Sequence, residues 1–121
     1  MRSRTCTFGS RTSAPKHVAL SGGQRQAIAI ARAVAWCKRA MLLDEPTAAL
    51  GVEQQREVLN IIDRVRAKGI ASILVSHQLP HVLEIADRIA VLRRGRLVTV
   101  IAREDATTER LVGLITGLEV S

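Results

Sequence analysis

From Ser21 onward the apolar positions fall into blocks whose period changes several times along the chain. Ala27, Ile28, Ala31, Val34 and Ala35 recur at helical spacing and predict an amphipathic helix over 22–37. Ser21 can cap its start, and Lys38 and Arg39 suit the negative charge at its C-terminal end. Ala40–Leu43 is a short apolar run closed by two acids, which predicts a buried strand whose carboxylates emerge at its C-terminal edge. A second helix is predicted over 53–68, with Val58, Leu59, Ile62 and Val65 on one face and Gly69 as its stop. Ile70–Val75 is another continuous apolar run. Runs without alternation are what parallel strands covered on both faces require. A short helix near Pro80, a strand Arg88–Leu92, a turn at Arg94-Gly95 and a strand Leu97–Ile101 follow, the two strands forming a hairpin. A last helix is predicted over 107–117. The pattern is α/β, with a mostly parallel sheet and a right-handed βαβ crossover over 40–75.

Residues 1–19 lack this periodicity and read as an irregular, disordered basic leader. They hold Arg2, Arg4, Arg11 and Lys16 but no acid, so more than half of the net charge of +7 sits in the leader and the body is only mildly basic. The leader is Arg- and Ser/Thr-rich, as a transit peptide is. A mis-started or truncated reading frame gives the same composition, and that origin is preferred. Phe8 and Trp36 are the only aromatics, too few for a surface that stacks bases, so nucleic acid is not an expected partner. Cys6 and Cys37 have no metal-ligand spacing and are expected as free thiols. No apolar stretch reaches the roughly 18–20 residues of a membrane span.

Three groups of residues carry candidate chemistry. Asp44 and Glu45 end the first apolar strand, where one acid can hold a hydrated Mg²⁺ and the next can orient a water for attack on a phosphate. Ser21, Gly22, Gly23 and Gln24 open a helix with a hydroxyl and two glycines, a ready anion site. His77 follows Ser76 at the end of the second core strand.

In this order and spacing, Leu20-Ser21-Gly22-Gly23-Gln24 and Met41-Leu42-Leu43-Asp44-Glu45-Pro46 resemble the signature motif and Walker B segment of the ATP-binding cassette (ABC) ATPases. The resemblance covers about 20–102, with 103–117 as the family's closing helix. It implies that 20–121 is the C-terminal part of a P-loop nucleotide-binding domain. Asp44 would then hold Mg²⁺, Glu45 would position the attacking water and His77 would sense the γ-phosphate. Ser21, Gly22, Gly23 and Gln24 would contact ATP held by a second ABC ATPase subunit across a head-to-tail dimer. ATP and Mg²⁺ are the implied cofactors and transmembrane permease subunits the implied partners. The implied location is cytoplasmic, peripheral at the inner face of the cell membrane. Thr47-Ala48-Ala49-Leu50-Gly51 corresponds to the D-loop, with Gly51 where most of the family has Asp. This variant, with Gln78-Leu79-Pro80-His81 and Ala86-Asp87-Arg88, is similar to the monosaccharide importers' ATPases.

No G-x-x-x-x-G-K-[ST] occurs in the 121 residues. Unaided, the chain is therefore expected to bind ATP weakly and not to hydrolyse it. Two rival readings stand beside the sugar-import ATPase. One is a non-transport ABC ATPase, which the missing D-loop Asp and absent insertions disfavour. The other is an inactive remnant, or a partner that lends only its signature face. Strands 40–43 and 70–75 are expected to present unpaired edges, which template self-association.

Overall fold

A computed structural model describes the backbone of residues 5–8 and all of residues 21–118. Two compact units divide the chain, Met1–His77 and Gln78–Ser121.

The first unit holds a three-stranded parallel sheet in the order β1-β2-β3, formed by Thr5–Phe8, Ala40–Asp44 and Ala71–Val75. Helix α1 spans Gly22–Trp36 and α2 spans Val52–Ala67. On α2 the buried residues are Val58, Leu59, Ile62 and Val65, the stripe that the sequence pattern predicts. The core also takes in Ile30, Met41 and Leu43, each almost wholly inaccessible. Gly69, with φ +78°, stands just beyond Lys68 at the end of α2, a conformation that glycine adopts without strain.

Four expectations are corrected here. Thr5–Phe8, expected as irregular leader, form β1 and pair in parallel with β2, Cys6 opposite Met41 and Phe8 opposite Leu43. Threonine and phenylalanine favour extended backbone, and β2 offers them a row of unpaired amides and carbonyls. β2 is consequently a central strand rather than an edge. The remainder of the 1–19 leader lies outside the described residues. Helix α1 has the predicted period but another phase. Its buried residues are Gly23, Ala29 and Ile30, while Ile28 is half exposed. With alanine or isoleucine at seven of the nine positions 27–35, its sequence does not single out one face. Cys37, expected as a free thiol, is disulfide-bonded and buried where α1 ends; linear spacing does not report proximity between strands and helix ends.

The fourth correction concerns β3. Its register sets Ser72 and Leu74 beside the buried Met41 and Leu43. Ala71, Ile73 and Val75 point the other way and are exposed, Ile73 at 63%. An apolar run shows that a strand can be covered on both faces, not that it is. Among the described residues β3 is also an outer strand. An apolar edge of this kind recruits further chains. Ile73→Lys should therefore shift the chain several-fold toward monomer in size-exclusion chromatography with light scattering. An unchanged distribution would place the source of self-association elsewhere.

The second unit begins with α3, Leu79–Ile85, and continues into an antiparallel hairpin of β4, Arg88–Arg93, and β5, Arg96–Ala102. Its turn residues Arg94 and Gly95 have φ of 50° and 74°. Two successive positive values are the mark of the tight hairpin turn whose twist matches the strands. A short 3₁₀ turn, Arg103–Asp105, leads to α4, Thr108–Thr116, whose start is capped by the Thr107 hydroxyl. Ile89, Val91, Ile101, Ala106, Leu111 and Leu114 form its core, with Leu79, Val82, Leu83 and Ala86 packed against it.

Candidate functional site

Parallel pairing brings the C-terminal ends of β2 and β3 to one edge of the sheet, Asp44 opposite Val75. In open α/β sheets ligands bind outside this edge. Asp44 is exposed at the end of β2. Glu45 takes the chain out of the strand with φ +46°, although a following proline biases its predecessor toward extended backbone. The Glu45 amide donates to the Val75 carbonyl at 2.8 Å and the Glu45 carbonyl accepts from the Ala48 amide at 3.1 Å, which fixes this left-handed turn.

The turned Glu45 side chain faces the residues that follow β3. Its Oε1 accepts from the His77 backbone amide at 3.0 Å and lies 2.8 Å from His77 Nδ1. Its Oε2 accepts from the Ser76 hydroxyl at 3.4 Å. An ionised Glu45 makes His77 Nδ1 the protonated nitrogen, so a neutral ring keeps Nε2 as an acceptor. The side chains are 77% exposed for His77 and 30% for Glu45. A pair this accessible contributes about 0–1 kcal/mol to stability, no more than the roughly 1–2 kcal/mol that a left-handed residue costs. The arrangement is not explained as a stability device. Strained backbone that its surroundings hold in place is a common property of functional sites.

The second constellation opens α1. The Ser21 hydroxyl accepts from the Gln24 amide at 3.2 Å, and Gln24 Oε1 accepts from the Ser21 amide at 3.1 Å. This reciprocal capping box holds the helix start rigid. The two glycines face the beginning of α2. A Cβ on Gly22 would meet Leu50 at 3.3 Å, and one on Gly23 would lie only 2.2 Å from Gln54 Cγ and 2.3 Å from Gln54 Cβ. Gly23 is thus required by close helix packing, whatever it also offers an anion. Gly51 caps α2 with extended backbone and no side-chain bond, where an aspartate would supply an acceptor.

The structure therefore brings Glu45, Ser76 and His77 into contact and sets Gly22 and Gly23 of the Ser21–Gln24 group against Leu50 and Gln54. Ser76, Leu50 and Gln54 were not among the sequence-predicted site residues. Ser76 had a signal in its place directly before His77 and Leu50 in its place in the D-loop segment, whereas Gln54 had none. Among the described residues no three His, Cys, Asp or Glu side chains converge as a metal cage. Mg²⁺ in nucleotide sites rests on one or two carboxylates with phosphates and waters, and the exposed Asp44 fits that need.

Residues 6–48 match the ABC transporter family. The match spans the capping box, the β2 acids and the first residues of the turn. This segment is similar to an ABC-transporter domain. The matched range begins at residue 6, within β1. Over 98 residues, 81% of the chain, it is 50% identical to the fructose import ATP-binding protein FrcA of Rhizobium meliloti, and it spans 38% of that protein. It is 42% identical to the ribose import ATP-binding protein RbsA of a Chelativorans species, spanning 19% of it. Among solved structures, a metal-chelate type ABC transporter in an inward-facing conformation aligns with TM-score 0.71 and 32% identity, over 81% of this chain and 39% of that one. An ATP-binding cassette in its ADP conformation aligns with TM-score 0.65 and 26% identity, over 37% of its length. ABC ATPases in general bind ATP and Mg²⁺, and the importer ATPases among them dimerise and work with membrane permeases. No described helix is long and apolar enough to cross a membrane.

Proposed function

We propose that the chain contributes the water-activating and signature elements of an ABC ATPase that hydrolyses ATP to drive uptake of a small sugar in the complete protein. The observation that carries this reading is the Glu45–His77 contact across the ends of two parallel strands. Asp44 would hold the Mg²⁺ that accompanies ATP, and the ion would supply charge stabilisation at the phosphates. Glu45 orients the attacking water. In the geometry described above, however, Oε1 of Glu45 is already engaged by His77. His77 must loosen from Glu45 when a γ-phosphate arrives, and its ring then bonds the phosphate. Ser76 stays with Oε2 and keeps the carboxylate aimed. Ser21, Gly22, Gly23 and Gln24 present a helix N-terminus to ATP on a second ABC ATPase subunit, where amides and dipole favour an anion. The fructose and ribose importers among the relatives support a sugar as cargo. The permease would hold the protein at the cytoplasmic face of the membrane.

The test joins this chain behind the P-loop-bearing half of a related ATPase. Asp44→Asn should raise the Mg²⁺ concentration needed for ATP binding by about tenfold, equal to about 1.4 kcal/mol, while Mg²⁺-free nucleotide binding stays unchanged. Equal Mg²⁺ titrations for both proteins would remove Asp44 from the metal site.

A further inference from the structure

Three of the six arginines described after His77 crowd the tip of the β4–β5 hairpin. Arg93, Arg94 and Arg96, with Leu97, Val98 and Thr116, line an open cleft of about 510 Å³ between the hairpin and the C-terminal end of α4. Among the described residues no carboxylate lines it. Arg93 has a structural task, since its Nη1 donates to the Leu114 carbonyl at 3.1 Å near the end of α4. That contact answers the negative end of the helix and leaves two further guanidinium groups to explain. Arg94 is exposed and occupies a turn position with φ +50°, where asparagine, aspartate or glycine is favoured. Arg96 is exposed as well. Leu97 and Val98 give the cleft an apolar side, and both are accessible.

Like charges this close repel, and an arginine gains nothing from a left-handed turn. A planar guanidinium fork does match a phosphate group. The volume is in the range of small-ligand sites and exceeds what an isolated phosphate fills. We propose that this cleft binds a small phosphate ester, its phosphate between Arg94 and Arg96 and its organic part against Leu97 and Val98. The site lies wholly within residues 78–118 and is independent of Glu45 and His77. The ester can be a soluble metabolite or a phospholipid headgroup.

Calorimetry on the 121-residue chain separates these sources. The probes are ribose 5-phosphate, ribose, inorganic phosphate, and vesicles of phosphatidylglycerol in phosphatidylcholine compared with phosphatidylcholine alone. A soluble ligand predicts submillimolar binding of ribose 5-phosphate, at least tenfold tighter than inorganic phosphate, with none for ribose. A lipid source predicts binding to the anionic vesicles only. In either case Arg94→Gln/Arg96→Gln should weaken binding at least tenfold without changing the circular dichroism spectrum, because neither side chain is in the core. Failure of ribose 5-phosphate and of the anionic vesicles alike to bind, or binding that the double variant leaves intact, overturns the proposal.

Discussion

Glu45→Gln, in the chain joined to a P-loop-bearing half, should bind Mg-ATP as the parent does and turn it over about 10²–10⁴-fold more slowly. Glutamine keeps a carbonyl oxygen where Glu45 Oε1 accepts from the His77 amide at 3.0 Å. The backbone bonds from Glu45 to Val75 and Ala48 involve no side chain and are also kept. The charge that polarises water is removed, and Oε2, which accepts from the Ser76 hydroxyl at 3.4 Å, becomes an amide nitrogen to which that hydroxyl can turn as acceptor. The expected loss equals about 3–5 kcal/mol of transition-state stabilisation, far above what loss of an exposed ion pair costs in stability. The two effects can therefore be told apart by measuring nucleotide affinity and turnover on the same preparation. Turnover within about twofold of the parent would remove Glu45 from catalysis.

Gly23→Ala should be the most damaging single methyl in the molecule. The new Cβ would lie 2.2–2.3 Å from side-chain carbons of Gln54 and 3.3 Å from its Cα. Gln54 cannot escape by swinging its amide away, because its own Cβ is one of the close atoms. Helices α1 and α2 must separate, at a cost of about 1–3 kcal/mol typical of overpacked interiors. That outweighs the gain of roughly 1 kcal/mol that alanine offers over glycine inside a helix. A second substitution sharpens the test. Gln54→Gly should rescue Gly23→Ala in part, whereas Gln54→Ala should not, since it retains the offending Cβ. Urea denaturation measures both. A neutral or stabilising Gly23→Ala would mean that this packing is looser than the distances indicate.

How much of this was legible beforehand varied with the element. Helix α2 was plain because charged residues flank its apolar stripe and leave one face to bury. Helix α1 was plain in period only; Ile28 and Ile30 look equivalent in sequence, yet one is half exposed and the other fully enclosed. The hairpin was legible from Arg94-Gly95. Strand β1 was not, because four residues are too few to show a period and its pairing partner lies more than thirty residues away. At the candidate site, motif order singles out Asp44, Glu45 and His77 as candidates. Their geometry was hidden. Pro46 argues for an extended Glu45, and the left-handed turn that aims the carboxylate at His77 is imposed by the bond to Val75 on a neighbouring strand.

The Glu45–His77 contact carries the functional reading, so the most direct measurement watches that imidazole. In the joined protein with ¹⁵N-labelled histidine, the His77 ring should show a protonated Nδ1 without nucleotide, held by Glu45. ADP with Mg²⁺ should leave its signals in place. A non-hydrolysable ATP analogue with Mg²⁺ should move both ring nitrogens as His77 exchanges Glu45 for the γ-phosphate. Signals that respond equally to ADP and the ATP analogue, or to neither, would contradict a γ-phosphate site at this edge of the sheet.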